Sequence, residues 1–227
     1  MADEAAGAEA AGTADGAVGA DGSVRAVGAD RVGAPDIEVL AGAHAYLREV
    51  VAAVGDEQWG AATPCDGWTV RQVLNHARID QQGYGLALTG GRPDSDPFHP
   101  ADALDGDPAA ELAKVLDAVA GAYAGLPADT EEVPTPLGPL PLSLAVGAAA
   151  MDAAVHAWDI AVATGQDRPL PAGTAAGIAP AAEHLVDHLR DAYQVFAPAR
   201  ETPDAHDRSA TLLAFLGRDP HWSPPAT

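Results

Sequence analysis

The sequence predicts an all-α fold: a bundle of four or five amphipathic helices behind a disordered N-terminal tail. Three observations carry this. Apolar residues recur at threes and fours in several separate windows, no stretch alternates apolar and polar residues as a half-buried strand would, and 48% of the 227 residues are hydrophobic, ample for one core. No internal repeat interrupts the pattern.

Residues 1–34 are mostly Ala, Gly and Asp with scattered Val, too little apolar surface to offset the entropy of ordering, and are expected to be a disordered tail. A helix follows Pro35 on Ile37, Leu40, Ala43, Leu47, Val50, Val51 and Val54, with Asp36 as N-cap and Gly55 as stop. Thr63 to Trp68 is rich in turn residues and feeds the best-marked helix start in the chain. There Thr69 and Gln72 form a capping box, and Trp68 precedes the cap as a hydrophobic staple. Val73, Leu74 and Ala77 make that helix's apolar face, with His76 at its edge. Gly90 to Asp107 reads as a long loop, and Asp107 caps a third helix on Leu112, Val115, Leu116 and Val119 that ends near Gly125. Between Val133 and Pro141 the density of Pro permits only extended or turn structure.

The central helix is expected from Ser143 to Thr164, with Gly165 as its C-cap and Leu144, Ala148, Met151, Val155, Trp158 and Val162 as one packing stripe. Asp152, His156 and Asp159 share the stripe beside it. A further helix runs from Gly173 to Phe196, bent near Pro180. A short one spans Ser209 to Leu216, and Gly217 to Pro220 closes the fold as a turn. The helical domain therefore covers residues 35–220, leaving 221–227 as a second tail.

Charge and cysteine content exclude several classes of function. With 33 acidic and 12 basic residues the net charge of -21 repels phosphate backbones and anionic lipid headgroups, so neither nucleic acid nor a membrane surface is an expected partner. One cysteine permits no internal disulfide, and apolar stretches are broken by charge, Pro or Gly before they reach a membrane-spanning length; together these lead to an expected cytoplasmic location. Abundant Ala, Gly, Asp and Pro with scarce Lys is the mark of a GC-rich genome such as an actinobacterium's. Gly-rich phosphate loops and a Gly-x-Ser-x-Gly elbow are both lacking, which leaves nucleotide and serine-hydrolase chemistry unsupported.

Polar groups on an apolar helix are costly and ask for a partner. Asp152 and His156, four residues apart, are able to bite one metal ion from a single helix face. His76 would complete a set of two histidines and one carboxylate that leaves a coordination position open, as in catalytic zinc sites. The same residues also fit a plain buried Asp–His hydrogen bond. His184 and His188 repeat the spacing, but Glu183 and Asp187 beside them mark a solvated face. Cys65, just before a helix N-terminus, is a candidate for an activated thiol, although its neighbours favour a packed small residue.

These residues carry a resemblance. Thr63-Pro-Cys-Asp-Gly-Trp-Thr-Val-Arg71 with Asn75-His76, Asp152-Ala-Ala-Val-His-Ala-Trp-Asp-Ile-Ala161 with Thr164-Gly165, and Leu213-Ala-Phe-Leu-Gly-Arg-Asp-Pro220 together resemble the actinobacterial DinB-like metal-binding proteins of the mycothiol-dependent maleylpyruvate isomerase superfamily. The resemblance implies a DinB-like four-helix bundle with additional C-terminal helices. It implies a divalent metal, zinc in the usual case, held by His76, Asp152 and His156, with Asp152 standing where the isomerase pattern has a longer Glu. It further implies mycothiol as thiol cosubstrate and a small electrophilic substrate, hence a thiol transferase or isomerase, in a monomer or homodimer. Asp159 would then support the site from behind. The competing reading is a non-catalytic metal- or ligand-binding accessory protein.

Overall fold

A computed structural model describes residues 34–202, 204 and 206–224, with side chains from residue 37 onward. The expected N-terminal tail lies outside the described residues except at its last position. Six helices follow in order: α1 Ala34–Ala52, α2 Val70–Ala87, α3 Pro108–Ala124, α4 Leu142–Ala163, α5 Ala172–Tyr193 and α6 Arg208–Phe215. Between α3 and α4 lies a hairpin of β1 Glu132–Thr135 and β2 Gly138–Pro141. The fold is thus all-α in its body, with one small two-stranded ornament.

Helix ends follow local chemistry. α1 starts at Ala34, so Asp36 falls inside its first turn and is not the N-cap; Pro35 is tolerated there because a first-turn N–H has no helical partner to lose. Gly55 does not stop α1, which ends at Ala52, and instead precedes a short 3₁₀ turn, Asp56–Gln58. At α2 the Thr69 hydroxyl accepts from the Gln72 backbone N–H while the Gln72 side chain accepts from the Thr69 N–H, the reciprocal box the sequence predicts. Asp107 caps α3 through the Ala109 and Ala110 N–H groups. α4 closes in a Schellman pattern, Gln166 N–H to Ala161 O and Gly165 N–H to Val162 O, with Gly165 at φ 67°. α5 keeps Pro180 in its interior but ends three residues before the expected Phe196, where Gln194 turns left-handed at φ 56°.

The hairpin is the extended and turn structure that the sequence reading allows there, organised as a strand pair that no apolar–polar alternation marks. Its register pairs Pro134 with Pro139 and Glu132 with Pro141. Because the Leu142 N–H donates to Glu131 O just beyond it, alternation of the antiparallel ladder puts these prolines at non-hydrogen-bonded positions, where the missing N–H costs nothing.

α4 is the axis of the bundle and packs on α1, α2 and α5. It is buried nearly all round, with only Leu144 and Val162 of the expected stripe half-exposed. The wider burial comes from alanine and Gly147, which let helices close in on every side. A Cβ added at Gly147 would stand 2.7 Å from that of Ala181 on α5. By length and composition α4 alone among the described helices could cross a membrane, but 89% of its most apolar window is covered by the bundle, which makes it a core helix. Asp152, His156 and Asp159 therefore sit on the most enclosed element of the fold.

Candidate metal centre

α2 and α4 face each other and bring His76, Asp152 and His156 together, each with one donor atom within 4.8 Å of the others. His76 Nε2 lies 3.9 Å and His156 Nε2 3.6 Å from Asp152 Oδ1, and the two imidazoles meet edge to face at 4.6 Å between centroids. Side-chain exposures of 9% for His76 and Asp152 and 10% for His156 leave a narrow opening to solvent.

The surroundings decide which nitrogens carry protons. His76 Nδ1 stands 2.9 Å from Pro97 O, and a carbonyl only accepts, so Nδ1 bears the hydrogen of that bond and Nε2 is the nitrogen that faces the cluster. His156 Nδ1 lies 3.0 Å from Asp159 Oδ2 and is oriented the same way. Burial pushes the His156 imidazole down to about 4 against the Asp159 hydrogen bond, so it is neutral at physiological pH. Two imidazoles with Nε2 turned inward and one carboxylate are a donor set that fits a divalent ion with one position left open.

Asp152 is held from its other side. The Gln81 amide donates to Asp152 Oδ2 at 2.8 Å and to Ala149 O at 2.8 Å, while its oxygen accepts from His44 Nε2 at 2.8 Å. Burial, reinforced by the carboxylate of Asp80, raises Asp152 well above the usual carboxylate range. Asp80 is raised by burial as well, and its Oδ2 lies 3.5 Å from His76 Nε2. A cation placed among these groups would relieve that crowding of negative charge.

Behind His156 lies a second knot. Arg218, from the turn after α6, donates through Nη2 to Asp159 Oδ2 at 2.9 Å and through Nε to Oδ1 at 3.3 Å. Burial alone would raise Asp159, but the guanidinium outweighs it and holds the carboxyl well below the usual range. The Cys65 thiol donates to Asp159 Oδ2 at 3.2 Å and lies 4.0 Å from His156 Nδ1. Burial and the adjacent Asp159 push this thiol far up, so Cys65 is a packed hydrogen-bond donor and not an activated nucleophile. Cys65, His156 and Asp159 form a second cluster of possible donors, but Arg218 already occupies its carboxylate. His184 and His188 are both exposed on α5, as the solvated-face reading expects.

Four supporting residues escape the sequence reading. Asp80 is four after His76, the spacing that singled out Asp152 and His156, and the same test applied to α2 finds it. Gln81 and His44 are polar residues on otherwise apolar helix faces. Arg218 stands 59 residues from Asp159 and has no local signal.

An all-α bundle with a His–Asp–His cluster between its second and fourth helices defines a helical protein with a candidate metal centre. Residues 40–161 match the model of the mycothiol maleylpyruvate isomerase N-terminal domain, and the chain belongs to that family. It is 32% identical over 172 residues to an uncharacterised protein of Mycobacterium tuberculosis, found in two strains, a match covering 74% of this chain and 90% of the relative. Two crystal structures of the mycothiol-dependent maleylpyruvate isomerase, one of a histidine-to-alanine mutant, superpose with TM-scores of 0.49 and 0.43 at 15% and 14% identity. Those matches cover 63% of this chain and 65% of theirs, just under two thirds of that length.

Proposed function

We propose that residues 35–220 form a domain that binds one divalent metal ion, zinc being the expected one, through His76, Asp152 and His156, and acts as a mycothiol-dependent transferase or isomerase on a small electrophile. The observation that carries this reading is the locked orientation of the donors: both Nδ1 atoms are spent on Pro97 O and Asp159, and both Nε2 atoms turn toward Asp152 Oδ1. A buried Asp–His hydrogen bond alone would leave Nε2 of each ring 3.6 Å or more from that oxygen, too far for a good bond.

A divalent ion held there supplies positive charge that favours the thiolate over the thiol. The protein's part is to keep the His156 imidazole neutral, to aim Asp152 through Gln81, and to exclude bulk water around the opening. Membership of the family supports mycothiol as the thiol, and the strongly acidic chain supports a small molecule over a nucleic acid as partner.

Elemental analysis of purified protein tests the ligand set. The wild type should retain one equivalent of metal, and His76→Ala and His156→Ala should lose it. Thiol consumption with an electrophile panel then tests the reaction. Turnover should require both mycothiol and metal, and full activity after metal stripping would overturn the proposal. Bound metal with no turnover on any thiol or electrophile would assign the domain to the non-catalytic binding class.

A further inference from the structure

Under the loop between α2 and α3 lies a cavity of about 260 Å³ that none of the three candidate metal ligands lines. Two consecutive residues of α2 hold that loop down. Asn75 Nδ2 donates to Ala101 O at 2.8 Å and to Ala103 O at 2.7 Å, and His76 Nδ1 bonds Pro97 O at 2.9 Å. The pinned loop forms one wall of the cavity, α2 contributes Arg78 and Ile79, and α3 contributes Val115. A space a little below the roughly 300–1,000 Å³ of drug-sized pockets suits a smaller molecule.

Arg78 is out of character for this chain. The other half-buried arginines, Arg48, Arg71, Arg190 and Arg218, each pair with a carboxylate, as an excess of 33 acidic over 12 basic residues makes easy. Among the described residues Arg78 has no ion-pair partner, and its guanidinium makes one hydrogen bond, Nη1 to Asn75 Oδ1 at 3.3 Å. Its Nε is shielded from water and has no acceptor. A guanidinium carries five N–H donors, and a buried one left without an acceptor is costly, so the group calls for an anion that the protein does not itself supply.

The lining holds one opposite charge as well. Asp105 is exposed and has no hydrogen-bond or ion-pair partner among the described residues. His99 also lines the cavity, but it already has a carboxylate in Asp96, with Nδ1 2.7 Å from Oδ2. Arg78 and Asp105 are thus the two uncompensated charges of one small cavity, one of each sign, and they form no ion pair with each other. A plain carboxylate would meet Asp105 as a like charge, and a plain amine would meet Arg78. A zwitterion answers both, while the half-exposed Ile79 and Val115 supply apolar surface. We propose that this cavity binds a free α-amino acid with a small apolar side chain, its carboxylate on Arg78, its ammonium on Asp105 and its side chain on Ile79 and Val115. Neither the metal nor the thiol reading enters this assignment.

Calorimetric titration of the full chain with L-alanine, L-valine and L-leucine, one at a time, tests it. At least one should bind saturably. Its N-acetyl form, which lacks the ammonium, and its amide, which lacks the carboxylate, should each bind more weakly by about tenfold. Arg78→Gln and Asp105→Asn should each weaken the free amino acid by a similar factor, and Asp105→Asn should bind the free and N-acetylated forms alike. Thermal melting of both ligand-free variants should match the wild type, because neither group has a charged partner to lose. An N-acetyl form that binds the wild type as well as the free amino acid would reduce the cavity to a simple anion site and overturn the proposal. Lowered melting in both variants would show that Arg78 and Asp105 pair with each other in solution and would overturn it too, as would no saturable binding of any of the three amino acids.

Discussion

His156 Nδ1 stands 3.0 Å from Asp159 Oδ2, an oxygen that also accepts from Arg218 Nη2 at 2.9 Å and from the Cys65 thiol at 3.2 Å. A carboxylate with three donors is held ionised, and an ionised carboxylate fixes the Nδ1–H tautomer of His156. Replacing it by Asn removes the charge but keeps the shape. Asp159→Asn should therefore lower metal affinity by roughly 10–100-fold, the usual cost of losing such a partner. Competition with a chromogenic chelator measures it, and wild-type affinity in the variant would show that His156 is oriented by packing alone.

The same knot sets the stability of the C-terminal turn. Arg218→Met leaves Asp159 buried and uncompensated, which should cost about 3–5 kcal/mol in urea unfolding. The double variant Arg218→Met with Asp159→Leu removes both charges and should recover most of that loss. A double variant no more stable than the single would mean that Arg218 acts through its other contacts, such as Leu216 O.

Gln81 is a rigid spacer between His44 and Asp152. Its amide orientation is not free, because Ala149 O and Asp152 Oδ2 both require the nitrogen. Gln81→Met keeps the volume and leaves His44 without its acceptor and Asp152 without its donor. About 1–3 kcal/mol of destabilisation is expected. Weaker metal binding should accompany it, and a thermal-shift series with and without added zinc reads out both effects.

What the residues foretell and what they do not divides along range. The capping box of Thr69 and Gln72, the Gly165 cap and the i, i+4 relation of Asp152 and His156 are local, and the structure places each where spacing puts it. Asp80 is equally local and stays hidden only because His76 is read there as an edge residue. Arg218 and Gln81 are different: their meaning is a contact between distant segments, and nothing in a terminal Gly-Arg-Asp-Pro or an Asp-Gln pair reports it. The hairpin is legible as extended and turn structure but not as a paired sheet, because only the register shows that its prolines occupy the unbonded positions. Buried all round, α4 defeats a stripe analysis, since small residues let every face pack.

Burial lowers the pKa of His44 below its ordinary 6.5, the Gln81 hydrogen bond only partly opposing it. The fold therefore keeps the ring neutral where the unfolded chain would charge it. Its contribution is complete above pH 6.5 and is lost as the pH falls below that value, by up to about 1.4 kcal/mol per pH unit while only the unfolded chain is protonated. His44→Gln lacks the titration and keeps a donor toward Gln81. With chelator present in both samples, the stability gap between wild type and variant should narrow from pH 7.5 to pH 5. A constant gap would show that His44 titrates alike in both states.

Gly217 decides where Arg218 points. It sits at φ 83°, and an added Cβ would lie 2.7 Å from Ala197 O and 2.8 Å from Ala197 Cβ. Both the left-handed backbone and the backbone contact resist a side chain, so the turn must move to accept one. Gly217→Ala should cost roughly 1–3 kcal/mol and should also weaken metal binding, because Arg218 leaves Asp159 and Asp159 loses its hold on His156. Gly165→Ala is the matched comparison. That glycine is also left-handed, at φ 67°, but nothing lies within 4 Å of its added Cβ. It should lose about 1 kcal/mol with metal affinity intact. Equal metal affinity in the two variants would cut the link between the C-terminal turn and the centre.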